Sequence, residues 1–497
     1  MIEILDGLDG LAADLAARAS ADGLRLVWRA QTTASRHVVV REGRLESCGS
    51  TRTAGHGIQL VTPEGRTALA SRDDLEISPA QELYRRVSAI VARGDELGLH
   101  RTRPGGWEVT RGREVPLGEE GFDAIDLAHV GRRLLALERT LEATVPGVTF
   151  TVNYGATLDA WRVVREDGTD VLWAVPRCTL GVLATAGGAG NRNGMTASLF
   201  RADPGLIDDP EAVDVWMARA VRAARTAVAL TDASPHPAGS FPLVIDYALA
   251  KGLAHEAFGH ASEADGFRSS ILARDGVFRS GEIVGASHVS IVDEPVPGDH
   301  AWQPFSANGL PRRRVTLVDH GELRQALSDP WSVDATGGWM SGAARSESYR
   351  HAPQPRMTNI RIETDAPLPA PGRFEDYGPE EVRQLLADAG VLARHPRVVY
   401  LSGYSGGQVN TTSGDFVFQC KAIYTLGADG IGLHRPAIFS GSMFGALQSV
   451  REAFGPLKLD ATGMCGKWGQ RVPSSGGSHY FLVLDEHPAV RLGGRET

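Results

Sequence analysis

Phe241-Pro242-Leu243-Val244-Ile245-Asp246, running into Tyr247 and on to His255-Glu256-Ala257-Phe258-Gly259-His260, is the stretch around which this chain reads. The first six residues read as a strand feeding a helix from about Tyr247 to Glu263. That helix places two imidazoles and a carboxylate within a turn and a half of backbone. Neutral imidazoles are good ligands for a borderline metal such as zinc, and an adjacent carboxylate can take a proton from metal-activated water. Zinc hydrolases commonly space such histidines four apart, on one helix face. Here the gap is five, which in a regular α-helix adds about 140° beyond a full turn and splays the rings. Both reach one ion only if the helix is widened by a π-type bulge or ends between them. Gly259 is where it would most easily loosen. The competing reading is that two of the chain's 15 histidines fall together by composition alone. A third ligand decides between them.

Outward from this motif the chain divides in two. Ala233-Ser234-Pro235-His236-Pro237-Ala238-Gly239-Ser240 clusters Pro and Gly with small polar residues and reads as a linker. It separates an N-terminal domain, residues 1–235, from a C-terminal domain, residues 236–497. In the first, helices are expected at 8–22, 80–93, 126–144 and Pro210 to Leu230. Strands are expected at His37 to Val40, Leu45, Gly57 to Val61 and Thr67 to Ala70, then Val148–Val152, Asp159–Val164 and Val171–Val175. The second is expected to be mostly short strands: Glu282–Ile291, Arg314–Val318, Val398–Leu401, Phe416–Tyr424 and Tyr480–Leu484. Helices interrupt them at Pro379–Ala389 and Met443–Ala453. The fold class expected is α+β: an N-terminal α+β domain of antiparallel hairpins and helices, and a β-rich C-terminal domain carrying the metal-binding helix.

Composition narrows the function. With 42% hydrophobic and 22% charged residues the chain is of ordinary globular type. A net charge of −9 argues against a general binder of nucleic acid, which needs a basic surface. No stretch approaches 18 uninterrupted apolar residues, so no membrane span is expected. Four widely separated cysteines, Cys48, Cys178, Cys420 and Cys465, form no disulfide framework. With an acidic N-terminus unlike a signal peptide, they point to the cytoplasm.

The second half resembles the TldD/PmbA family of metallopeptidases, specifically its TldD-type catalytic subunit. The residues that carry the likeness are His255-Glu256-Ala257-Phe258-Gly259-His260 with Glu263-Ala264-Asp265-Gly266, then Ser348-Tyr349-Arg350 and Pro355-Arg356-Met357-Thr358-Asn359. Gly406-Gly407-Gln408-Val409 and Ser413-Gly414-Asp415-Phe416 follow, and Met464-Cys465-Gly466-Lys467 closes the series. Their order and separation match the family over roughly residues 240–480.

The resemblance implies that His255, His260 and Cys465 hold Zn2+, supplying the ligand the motif lacked. Three protein ligands leave an open position, as in catalytic rather than structural sites. It further implies that Glu256 is the general base of a hydrolase cleaving amide bonds in unfolded or short peptides or peptide-like molecules. Glu263 is a candidate to hold an imidazole in its tautomer, with Asp265 a weaker one. Tyr349, Arg350, Arg356 and Asn359 are candidates to bind substrate or stabilise an oxyanion. The Gly406-Gly407 pair could let a peptide backbone approach a strand edge, or could be a plain turn. The family implies a dimer with a metal-lacking TldE/PmbA-type subunit; a homodimer is the alternative. Trp468 departs from the small or acidic residue expected after Lys467, which opens a role in processing a peptide-like natural product. The rivals are a thiol hydrolase with Cys465 as nucleophile, a non-catalytic partner subunit with a structural zinc, and a small-molecule amidohydrolase.

Overall fold

The structure, a computed structural model, describes residues 1–99, 101–115, 119–188 and 190–493. It mixes helices with two large sheets. In the N-terminal half, seven strands form one sheet. Its order is Thr67–Arg72, Arg44–Val61, Arg25–Arg41, Thr149–Arg165, Asp170–Ala186 and Arg111–Glu114, with Asn193–Arg201 also paired to Asp170–Ala186. The turn Arg41-Glu42-Gly43-Arg44 joins the first hairpin, pairing Arg41 with Arg44. Glu42 and Gly43 both take positive φ, 51° and 70°, the tight two-residue turn whose twist suits antiparallel strands. Gly57 to Val61 pairs with Thr67 to Ser71, as the spacing across Pro63-Glu64-Gly65 implies.

Helices Asp9–Ala21, Leu127–Thr144 and Pro210–Ala229 cover one face of this sheet. Their apolar stripes recur at helical spacing, and Leu11, Leu15, Leu134, Leu141 and Trp216 pack with Trp28, Phe150 and Tyr154. Asp126 and Asp209 cap two of these helices, accepting from Ala128 N and Glu211 N. On the opposite face Trp161 and Trp173 stack at 5.9 Å and meet Trp302 from the second half. Arg29, wholly buried, ties the halves together: its Nε donates to Ala307 O at 2.6 Å and its Nη2 to Asn308 Oδ1 at 2.9 Å.

The C-terminal half is built on a 13-stranded sheet. At its centre Leu243–Asp246 runs parallel to Arg397–Asn410 on one side and antiparallel to Gln470–Leu484 on the other. This strand, which feeds the motif helix, therefore lies between two long neighbours that also reach the site.

Several elements differ from the sequence expectation. Val148–Val152 and Asp159–Val164 are parts of one 17-residue strand, Thr149–Arg165, whose alternate burial continues through Gly155. The helix expected over Met443–Ala453 stops at Gln448, and Val450–Lys458 is a strand. Pairing of Val450 with Leu484 and of Phe454 with Phe481 overrides local propensity there. Of Glu282–Ile291 only the end is strand, Val289–Glu294, because Val284 N and Gly285 N both turn to Gly321 O. The linker is pinned, not free: Ser234 bridges to His434 and Gly239 to Leu492. Among the described residues no helix is long and apolar enough to cross a membrane.

Candidate metal centre and its cavity

Asp246 closes the central strand and caps the helix that follows, accepting from Leu249 N at 3.0 Å. Its other oxygen accepts from Gly403 N at 2.6 Å, which ties the start of the helix to the neighbouring strand. The helix is regular only over Tyr247–Gly252. Leu253–Gly259 is a π-helix and His260–Ser262 a 3₁₀ turn. The π-type widening, with its i→i+5 bonding, returns residues five apart to one face. The five-residue gap thus becomes compatible with convergence, and the two rings sit 5.1 Å apart, nearly perpendicular. Glycines permit the close packing around this distortion. A Cβ on Gly252 would meet the Tyr404 ring at 2.8 Å, and one on Gly259 the Met357 sulfur at 2.6 Å.

Cys465 arrives on a hairpin, Gly463–Lys467 with Gln470–Leu484, whose turn places Trp468 and Gly469 at positive φ, 46° and 78°. Trp468 is 72% exposed at the tip, with the Lys467 ammonium 5.1 Å above its ring. Ligand atoms of His255, His260 and Cys465 all lie within 4.8 Å of one another. Cys465 Sγ is 3.4 Å from His260 Nε2.

The surrounding charges set the protonation states. Burial pulls His255 well below the usual histidine pKa, helped by Lys251 and His260, so the ring is neutral, the form that binds metals. Both of its ring nitrogens are buried without a hydrogen-bond partner. Burial opposes charge on His260 too, but Glu263 and Cys465 outweigh it and push the ring well upward. Glu263 Oε2 lies 3.0 Å from His260 Nδ1 and 3.0 Å from Lys467 Nζ. Burial would raise the Glu263 pKa, yet His260 and Lys467 hold it at about 2. Cys465 is likewise lowered, burial being overcome by His260 and then Arg356. The shifts share one cause: His260, Cys465 and Glu263 are packed so closely that the charge of each acts on the others. The orphaned nitrogens of His255 and this donor set fit a zinc ion, which would take the place of the proton.

Glu256 stands beside the cluster, Oε2 at 3.7 Å from His260 Nε2 and Oε1 accepting from Tyr404 OH at 3.1 Å. Asp265 pairs with Lys467 at 2.7 Å. Arg356, also buried, donates through Nη2 to Cys465 O at 2.6 Å and so braces the hairpin without facing the cavity. Asn359 Nδ2 donates to Leu459 O and Ser475 Oγ, inside the sheet. The structure does not bring Tyr349 and Arg350 to the cluster. Tyr349 OH donates to Asp73 at 2.8 Å and Arg350 pairs with Asp73 at 2.8 Å, latching the C-terminal half to the N-terminal hairpins. Tyr349 fits there because a Cβ at Gly55 or Gly57 would strike it. Gly406 and Gly407 line the cavity beside a bulge in their strand.

Sequence reading missed Tyr404 and Lys251. Tyr404 stood two residues before the glycine pair already singled out. Lys251 stands one helical turn before His255, and both line the cavity with Glu256. Burial lowers its pKa, against the pull of Glu256 and Cys465. The cavity itself, about 1380 Å³, runs from the cluster along helix Pro210–Ala229. It exceeds the few hundred to about 1,000 Å³ usual for small-molecule pockets.

Residues 238–475 match the model of the PmbA/TldA metallopeptidase C-terminal domain. A metalloprotease TldD homolog of Buchnera aphidicola subsp. Schizaphis graminum is 30% identical over 52% of this chain, which spans only 50% of that relative. A metalloprotease of Methanothermobacter thermautotrophicus is 27% identical, covering 91% of this chain and 92% of the relative. A zinc metalloprotease TldD homolog of Saccharolobus solfataricus is 26% identical over 50% of this chain and 51% of its own. Among solved structures, TldE from Thermococcus kodakarensis shares the fold, with a TM-score of 0.73 at 14% identity, over 97% of this chain and 100% of that one.

Proposed function

This chain belongs to the TldD/PmbA family of metallopeptidases, and from that membership and the cavity we propose a zinc-dependent hydrolase of amide bonds in unfolded or short peptides or peptide-like molecules. The observation that carries the reading is the cluster of His255, His260 and Cys465 within 4.8 Å, beside the Glu256 carboxylate and a large cavity. These three residues would hold the zinc. When bound, the metal supplies a Lewis acid that polarises the scissile carbonyl and acidifies water.

The chain's own groups do the rest. Glu263 holds His260 by its Nδ1, and Lys467 and Arg356 hold Glu263 in turn, so the ring and the Cys465 hairpin are set before substrate arrives. Tyr404 fixes Oε1 of Glu256 and leaves Oε2 toward the cluster. Glu256 Oε2 takes the proton of the attacking water and passes it to the leaving nitrogen. A cavity of this size accepts several residues of extended chain and excludes a folded domain. Zinc as the metal is supported by the thiolate donor and by the name of the Saccharolobus relative. A dimer, with a TldE/PmbA-type subunit or a second copy, belongs to the same proposal, supported by the fold shared with TldE. So do a division of domains near residues 235–236, supported by the two sheets, and a cytoplasmic setting, supported by four unpaired cysteines.

Glu256→Gln tests the reading. Hydrolysis of unfolded peptides should fall about 10²- to 10⁴-fold, while zinc content and the circular dichroism spectrum stay unchanged. Hydrolysis undiminished in this variant rejects the mechanism. The Cys465 thiolate beside the His260 imidazole also favours a second reading, a thiol hydrolase. Activity that survives complete chelation but not alkylation would establish that one instead.

A further inference from the structure

Lys251 is 4% exposed, and among the described residues its ammonium has one hydrogen bond, to Ser474 Oγ at 3.2 Å. Among the described residues it makes no ion pair. An ammonium has three donors, and a buried charge whose counter-charges, here Glu256, Cys465 and Asp299, stay beyond contact is costly. Its position is not that of a stray core lysine. It precedes His255 by four residues, on the same helix face. Ser474 pairs with Gly463, two residues before Cys465, so the ammonium sits between the motif helix and the hairpin that carries the thiolate. It lines the cavity together with His255 and Glu256.

The rest of the cavity wall also carries cations without an ion pair. Its carboxylates are almost all engaged: Asp214 with Arg373, and Glu375 and Asp460 with Arg219 and Lys458. Asp246 and Glu381 serve as helix caps. Glu256 is left. Against it stand Arg222, Arg225 and Lys421, which form no ion pair among the described residues; Lys421 Nζ donates only to Thr196. Of these unpaired cations on the wall, Lys251 is the buried one.

We propose that Lys251 anchors a carboxylate of the substrate, so that the preferred amides carry a carboxylate close to the scissile bond. This rests on the hydrolase reading for the identity of the cavity as the substrate site, and it names the substrate class. The carboxylate comes either from a free C-terminus or from an Asp or Glu side chain.

The test uses the full chain, stripped of metal, with glutarate and its diamide as probes in titration calorimetry. Wild type should bind glutarate at least tenfold more tightly than glutaramide. Lys251→Met should lose that preference, and Lys251→Arg should keep part of it, each with an unchanged circular dichroism spectrum. Equal binding of both probes by wild type, or a preference that persists in Lys251→Met, overturns the inference. With zinc restored, matched peptides then separate the sources: free acid against C-terminal amide, and Glu against Gln beside the scissile bond. The pair whose kcat/KM differs in wild type but not in Lys251→Met identifies the carboxylate. If both pairs are cleaved alike by wild type, the hydrolase reading stands and the anchor falls. If no peptide is cleaved while glutarate binding still depends on Lys251, the anchor stands and the hydrolase reading falls.

Discussion

Around Trp28, Leu134 and Phe150 the N-terminal core is closed by buried apolar side chains from helices lying on a sheet. Around His260, whose Nε2 lies 3.4 Å from Cys465 Sγ, the C-terminal half links the buried Glu263 and Arg356 with the half-buried Lys467 and Asp265 in a chain of ion pairs. The first region is held by area removed from water, which is indifferent to the exact atoms that supply it. The second is held by charges that tolerate burial only because each has its partner. Packing there leaves stability hostage to single atoms, and in exchange fixes the donors that face the cavity. The contrast separates a scaffold from a site within one chain.

The sharpest way to break the comparison is Cys465→Ser. Bound zinc, measured by elemental analysis, should fall from about one per chain to a small fraction, since a hydroxyl is a far poorer zinc donor than a thiolate. Next, Glu263→Gln leaves His260 and the buried Arg356 without their carboxylate partner, while Lys467 keeps Asp265. It should cost about 3–5 kcal/mol in urea unfolding and weaken zinc about 10- to 100-fold. In the other region Leu134→Ala should cost about 2–5 kcal/mol and leave zinc stoichiometry untouched. Loss of zinc in that variant would show that the two regions are not separable. Tyr404→Phe, which removes a hydrogen bond to a carboxylate worth roughly 1.5–3 kcal/mol, should lower kcat/KM about tenfold or more with normal zinc. Smallest of all, Trp468→Ser at the exposed hairpin tip should change unfolding free energy by no more than about 0.5 kcal/mol. A larger change would give Trp468 a structural role that its exposure does not suggest.

Helix Leu127–Thr144 and the hairpin turning at Glu42-Gly43 were readable because their signals are local: apolar periodicity in one, two residues of positive φ in the other. The strand and helix bearing the motif were readable for the same reason, and the five-residue gap itself demanded a distorted helix. Val450–Ala453 was misread as helix because nothing local breaks the run from Met443, and pairing with Gln470–Leu484 decided it. Tyr349 and Arg350 looked like substrate contacts because polar residues in loops can be. Their actual partner, Asp73, lies some 275 positions away and nothing local points to it.

By itself the sequence determined the long N-terminal helices, the Glu42-Gly43 turn, the acidic balance that disfavours nucleic acid, and the pair of histidines that needs a third ligand. Family resemblance supplied Cys465 as that ligand. Only the tertiary structure decided that Leu243–Asp246 lies between the strand bearing Tyr404 and the one beside Cys465, and that Lys251 stands unpaired in the same cavity. The reason is physical. Turn chemistry and hydrophobic period act over a few residues, whereas which strands become neighbours depends on how whole surfaces are buried together.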